Sequence, residues 1–258
     1  MTSIHRFNDF MAEKKYWWTQ EKIDYMRDAY EYTRFQNTLA DYVARYIEPT
    51  DTICDAGCGL GYVSMELARH CASVTAVDVS QDVLDVLDSK IGRTDKTGYS
   101  YPSNVKTLKT DISSLPEGMS FDWIIFCFFG QMPEIVDVMK RYAKKGVILI
   151  HKNWKNHRLS SREIPLERLR YTSDIDYLEE NNITYETESF DIDLGQPLKD
   201  KEQALRFFEL YDRNENTDRF DERVRIERLS KLVPIDSPDY EYYLPMISRV
   251  GIIIIEKS

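Results

Sequence analysis

The chain has 258 residues, 42% of them hydrophobic, which allows a sizeable core in one or two domains. Its 34 Lys and Arg against 44 Asp and Glu leave a formal net charge of −10, which argues against a nucleic-acid partner, because a long nucleic-acid track needs clustered cations. No apolar run approaches the ~20 residues of a membrane helix, and no N-terminal segment joins a basic start, an apolar run and a small-residue cleavage site; the expected compartment is the cytoplasm, with no membrane partner.

Residues 1–34 are aromatic and charged: Lys14-Lys15-Tyr16-Trp17-Trp18 is followed by Tyr25, Tyr30 and Tyr32. Leu39, Val43 and Ile47 share one face of a helix over 35–47, which ends before Pro49. A first strand is expected over 52–56, a helix from Tyr62 to His70, and a second strand over 73–79. Ser80 is a good N-cap for a helix over 81–91, with Val83, Leu84, Val86, Leu87 and Ile91 on its apolar face. After a loop from Gly92 to Asn104, Val105 to Thr110 reads as the third strand. The continuous apolar run Trp123 to Phe129 reads as a buried parallel strand. Pro133 suits the start of a helix over 133–143, and Val147 to Ile150 belongs to the fifth strand.

The alternation of strand and helix predicts a parallel α/β sheet. Beyond it, Ser173 caps a helix through Glu180, and Ile183 to Leu194 reads as a long strand. Helices follow over Lys199–Tyr211 and about 217–232. Tyr240–Tyr243 and Val250–Ile255 close the chain. The four cysteines, Cys54, Cys58, Cys71 and Cys127, include no Cys-x-x-Cys pair and no accompanying His cluster, so neither a metal site nor a disulfide framework is expected.

The stretch Asp55-Ala56-Gly57-Cys58-Gly59-Leu60-Gly61 carries the chemistry. A sharp strand-to-helix turn passes close to its ligand, and glycine leaves no Cβ in the way. The following helix start presents unpaired N–H groups, which bind carboxylates or phosphates. A dinucleotide fingerprint, Gly-x-Gly-x-x-Gly with an acid about 20 residues on, is one alternative, but here the third glycine comes one position early. A glycine-rich turn without a ligand is another.

The run, followed by Asp78 at 17 residues beyond Gly61, resembles the first two signatures of class I S-adenosylmethionine-dependent methyltransferases. The resemblance covers about residues 50–150 and the tail only loosely. It implies a Rossmann-like α/β domain spanning 1–258, with a seven-stranded sheet of order 3-2-1-4-5-7-6, mostly parallel with an antiparallel last strand, and helices on both faces. Within it, 1–34 would form an N-terminal helical lid, 35–152 the cofactor-binding half, and 153–258 the substrate-side insertion and C-terminal strands.

S-adenosyl-L-methionine is then the expected cofactor. Asp55 would hold its ammonium group, with Gly57, Cys58, Gly59 and Gly61 beside it. Asp78, next to Val79, would accept from the ribose hydroxyls, and Asp111 with Ile112 would meet the adenine. Phe128, Phe129, Gly130 and Gln131 at the end of the fourth strand would lie beside the reacting methyl, Phe128 with the cofactor and Gln131 with the acceptor. His151 is the best-placed base if the acceptor needs deprotonation, and a structural histidine is the alternative. Tyr16, Trp17, Trp18 and Trp154 would bind the acceptor, although ordinary packing serves Trp17 and Trp18 equally well. The expected partner is a small-molecule methyl acceptor. Phe128-Phe129-Gly130-Gln131 stands where an Asn/Asp-Pro-Pro-Tyr/Phe signature would have pointed to exocyclic amino groups. The alternatives are an RNA or protein acceptor, or a non-catalytic cofactor-binding subunit. Oligomeric state is left open.

Overall fold

The computed structural model describes residues 18–95, 98–153, 170–211 and 222–257. Tyr16, Trp17 and Trp154 lie outside them. Helices α1 (Gln20–Thr33) and α2 (Phe35–Val43) lead into the alternating part: β1 (Thr52–Ala56), α3 (Tyr62–Leu67), β2 (Ser73–Asp78), α4 (Gln81–Asp88), β3 (Val105–Lys109), β4 (Phe121–Cys127), α5 (Glu134–Tyr142) and β5 (Ala143–Lys152). Then come α6 (Arg170–Glu180), β6 (Glu186–Asp193), β7 (Gln196–Leu198), α7 (Lys201–Tyr211), α8 (Glu222–Leu229), β8 (Val233–Pro234), β9 (Tyr242–Leu244) and β10 (Ile247–Glu256).

Seven strands form one sheet in the order β3-β2-β1-β4-β5-β10-β6. Strand β10 is antiparallel to both β5 and β6, while the other pairings are parallel. Counting along this sheet, the order is the expected 3-2-1-4-5-7-6. The central strands are apolar on both faces because helices cover both. On one face Ile53, Ile125, Ile148, Ile150 and Ile252 pack with Leu39, Val43, Met65 and Leu67 from α2 and α3. On the other, Cys54, Ile124, Phe126, Val147 and Leu149 pack with Ile135, Val138 and Met139 of α5 and Leu178 of α6.

Several boundaries differ from the sequence expectation. A separate helix, α1, precedes the expected one; Thr19 caps it, and Arg34 at φ 50° breaks it from α2. Helix α3 stops at Leu67 because the next turn tightens, with Arg69 and His70 N–H donating to Glu66 and Leu67 carbonyls. Ser80 stands at the N-cap of α4, but its side chain makes no capping bond. Ser173 lies inside α6, where its hydroxyl donates back to the Arg170 carbonyl at 3.0 Å.

The second sheet, β7-β9-β8, has no counterpart in the sequence reading. Tyr242 and Tyr243 pair within it, opposite Leu198 and Pro197, and so leave the main sheet to β10. This insertion grips α1. The Tyr25 hydroxyl donates to the Gln203 carbonyl at 3.0 Å, and the Gln196 amide donates to the Tyr25 carbonyl at 3.1 Å. Arg206 forks onto both oxygens of Glu21 at 2.6 and 2.8 Å. Tyr25, Leu198, Ala204, Phe207, Phe208 and Leu244 form an apolar cluster of their own.

Gly146 marks a close approach of β5 to its neighbours β10 and β4. A Cβ there would strike the Ile255 carbonyl and lie 2.8 Å from the Trp123 ring. Gly146→Ala is therefore expected to cost about 1–3 kcal/mol of stability, the range for overpacking, measured by urea denaturation; an unchanged midpoint would mean that β5 and β10 part easily.

Candidate functional site

At the carboxyl end of β1 the chain turns through Gly57 (φ 67°), Gly59 (φ 53°) and Gly61 (φ 72°), a left-handed conformation that favours glycine. The turn is tied to β2. Cys58 N–H donates to the Val77 carbonyl at 3.0 Å. The Asp78 carboxylate accepts from the Gly59 and Ser80 N–H groups, at 3.0 and 2.9 Å. A Cβ on Gly57 would lie 2.5 Å from the Phe129 ring, and one on Gly59 would lie 3.3 Å from the Trp18 indole. Two aromatic side chains thus flank the loop. Trp18 also packs with Ile23, Leu60, Tyr62 and Val83, so it is both a packing residue and a neighbour of the site.

Asp55 is 1% exposed. The Ser64 hydroxyl donates to it at 2.5 Å, and no cation pairs with it among the described residues. Burial pushes its carboxyl up to about 6, against the pull of the Ser64 bond and with the charge of Asp78 adding to the rise. Burial also holds the Cys58 thiol well above its ordinary range, so that cysteine is no thiolate nucleophile and its contribution to the loop is backbone.

The other strand ends converge on the same side. Asp111 accepts from the Ser113 N–H and hydroxyl, at 2.8 and 2.7 Å, through one oxygen that caps a 3-10 turn, Ile112–Ser114. Ile112 is a buried core residue, whereas Val79 is 42% exposed directly after Asp78. Phe128 follows β4 at φ 54°, a strained value for a bulky residue and one that concentrates at functional sites. Its N–H donates to the Ile150 carbonyl at 2.8 Å, and the Lys152 ammonium stands 5.6 Å from its ring centre. Gln131 is exposed on the loop beyond, and the guanidinium of Arg170 donates to the Gly130 carbonyl in the same loop.

His151 is 2% exposed, with Nε2 3.0 Å from Oδ2 of Asp174 on α6. In the strand alternation it follows Val147 and Leu149, towards the face that α6 covers. A base must reach the proton that it removes. A buried imidazole whose Nε2 lies against Asp174 fits holding α6 to β5 better than proton transfer. Sequence reading missed Ser64, Asp174 and Tyr30 as neighbours of the loop and strand ends.

Residues 53–146 match a family described as a methyltransferase domain. Over 116 residues the chain is 30% identical to the H3 lysine-79-specific histone-lysine N-methyltransferase of Dictyostelium discoideum; the match covers 40% of this chain and 6% of that protein. The chain thus spans only a small part of that relative. Among solved structures it is similar to the YcgJ protein of Bacillus subtilis, with a TM-score of 0.53 and 16% identity, covering 87% of this chain and 99% of that one. At that identity the likeness is one of fold.

The raised Asp55 carboxyl has a consequence for the ligand-free protein. A folded-state value of about 6 against an ordinary 3.8 favours folding while Asp55 is neutral; that contribution is complete below the unfolded value and is lost as pH rises through about 6. Urea unfolding of wild type and Asp55→Asn across this window should show the wild type losing on the order of 3 kcal/mol more. Parallel curves for the two proteins would contradict it.

Proposed function

We propose that this chain, whose residues 53–146 match a methyltransferase-domain family, is a class I, S-adenosylmethionine-dependent methyltransferase and transfers a methyl group to an oxygen, nitrogen or sulfur atom of a small molecule. The observation that carries the reading is Asp55: a buried carboxylate beside the glycine turn, with no cationic partner among the described residues. Burying such a charge is costly unless it is paired. The ammonium group at the amino-acid end of S-adenosylmethionine fits that need.

The remaining residues fit the rest of the cofactor. Asp78 is oriented by two backbone N–H groups and keeps acceptor capacity for ribose hydroxyls. Val79 offers an exposed apolar surface beside it, suited to a planar base. The second oxygen of Asp111 suits an amino group. When bound, the cofactor supplies a sulfonium methyl with a neutral leaving group. The work of the protein is then alignment, which supplies up to ~7–11 kcal/mol in well-oriented reactions. Phe128, held in its strained turn by the Ile150 carbonyl, and Phe129, packed on Gly57, form the wall on which that alignment depends.

The charge of −10 and the aromatic surroundings support a small acceptor. Trp18, Phe128 and Phe129 offer flat apolar faces, which favour planar or cationic ligands. A protein acceptor is the second reading, favoured by the histone-lysine N-methyltransferase that matches over 116 residues.

Calorimetry tests the cofactor first. S-adenosylhomocysteine should bind the wild type, Gly59→Val should abolish binding, and Asp78→Ala should weaken it by about 1–3 kcal/mol. Equal affinities in all three would sink the assignment. Transfer of a labelled methyl group into a metabolite pool, total RNA or total protein then identifies the acceptor class. Label confined to protein would establish the second reading, and no transfer to any pool would leave a cofactor-binding protein.

A further inference from the structure

The carboxyl end of β5 carries two basic neighbours, His151 and Lys152, which strand alternation sends to opposite faces of the sheet. His151 follows Val147 and Leu149 to the face that α6 covers. Lys152 follows Ile148 and Ile150 to the other face. At the end of β1, Asp55 follows Ile53 to that same face, and at the end of β4, Cys127 follows Trp123 and Ile125 there. Strand β4 lies between β1 and β5, so two strand spacings, roughly 10 Å, separate the strand of Asp55 from that of Lys152. The thiol of Cys127 lies under the influence of both. Burial holds it well above its ordinary range; Asp55 adds to the rise and Lys152 opposes it.

A chain of contacts leads from Lys152 to the glycine turn. Its ammonium stands 5.6 Å from the ring centre of Phe128. Phe128 is held by its N–H bond to the carbonyl of Ile150, two residues before Lys152, and by its left-handed backbone. The next ring, Phe129, fills the space against Gly57. Lys152 is exposed, so its charged head meets solvent beside this aromatic wall. The strand ends thus divide by charge. Carboxylates follow or end β1, β2 and β3 at Asp55, Asp78 and Asp111, whereas β5 ends in an ammonium. Arg170, also beside the β4 loop, is engaged by the Gly130 carbonyl.

We infer that Lys152 is an acceptor-binding residue and that the methyl acceptor is an anion, a small molecule with a carboxylate or phosphate group apart from the atom that is methylated. This rests on, and deepens, the reading of the site as that of a small-molecule methyltransferase. Aromatic walls suit planar or cationic ligands, and Lys152 decides between the two. The Phe128 ring already has an ammonium of the chain itself over it, and a cationic acceptor there would meet like charge. A planar acid instead lies on the wall and pairs its charge with Lys152. Two fixed points then hold the acceptor, which is the positioning that methyl transfer demands.

Sorting the products by charge tests the inference. A small-molecule extract is incubated with the wild type and labelled S-adenosylmethionine, and the products are separated on ion exchangers at neutral pH. The label is expected on the anion exchanger. Label in neutral or cationic products would overturn the inference while leaving the small-molecule reading intact. With the acceptor identified from its product, Lys152→Met is expected to raise its KM about tenfold, the scale of a hydrogen bond to a charged group, with kcat changing much less. Lys152→Arg should recover most of that loss. Affinity for S-adenosylhomocysteine and the unfolding midpoint should stay at wild-type values in both variants. An unchanged KM in Lys152→Met, a loss that Lys152→Arg does not recover, or an equal loss of S-adenosylhomocysteine affinity would overturn the assignment. Label confined to protein or RNA, or no label at all, would instead remove the small-molecule reading, and this inference with it.

Discussion

The antiparallel pairing of β10 between β5 and β6 decides where the rest of the molecule lies. Strand β6 runs parallel to β5, so the chain leaving it emerges at the carboxyl end of the sheet. Strand β10 runs the other way and starts from that same end, with Ile247 opposite Asp193. The described residues between them therefore leave and rejoin the sheet at that end. The small β7-β9-β8 sheet and α7 hold α1, and Ile23 of α1 packs on Leu60 of the glycine turn. In open α/β sheets ligands bind outside the carboxyl ends of the strands. Here the connection that starts and finishes at those ends follows from one strand's direction.

At that end of the sheet, two carboxylates with opposite surroundings organise the turn. Asp78 is satisfied by backbone N–H groups and fixes the loop to β2. Asp55 is buried with a single hydroxyl donor side chain, Ser64, and burial dominates its acid–base behaviour. One acid fixes the turn, and the other is buried beside it with no cationic partner among the described residues. The contrast depends on solvent access, since both belong to the same short strand–turn–strand unit.

The aromatic N-terminal region divides its labour in a similar way. Tyr25 and Tyr32 pack onto the insertion, Tyr25 against Phe207 at 5.1 Å and Tyr32 against Tyr240 and Tyr243 at 5.8 and 5.3 Å. Trp18 and Tyr30 face the turn. One helix thereby joins the insertion to the loop. On the other side of the sheet His151 of β5 and Asp174 of α6 face each other at 3.0 Å, and Arg170 at the start of α6 grips the Gly130 loop.

What the sequence by itself determined is what depends on near neighbours in the chain. Continuous apolar runs needed helices on both faces, which made the sheet parallel at its centre. The glycine spacing required left-handed backbone, and Asp55 and Asp78 stood at strand ends because their runs stopped there. The seven-strand order came from resemblance to a family, and the structure has it. Tertiary structure alone decided which partners met across long separations. Burial turned His151 towards Asp174, a residue with no distinguishing pattern around it. The aromatic and charged segment before Arg34 formed a helix of its own, α1, set off from α2 by the left-handed Arg34, and Tyr242 and Tyr243 joined a second sheet. Tyr30, one tyrosine among 17, acquired its position only when α1 docked between the insertion and the turn. Such pairings depend on where strands begin and end in space, and a local pattern carries no trace of that.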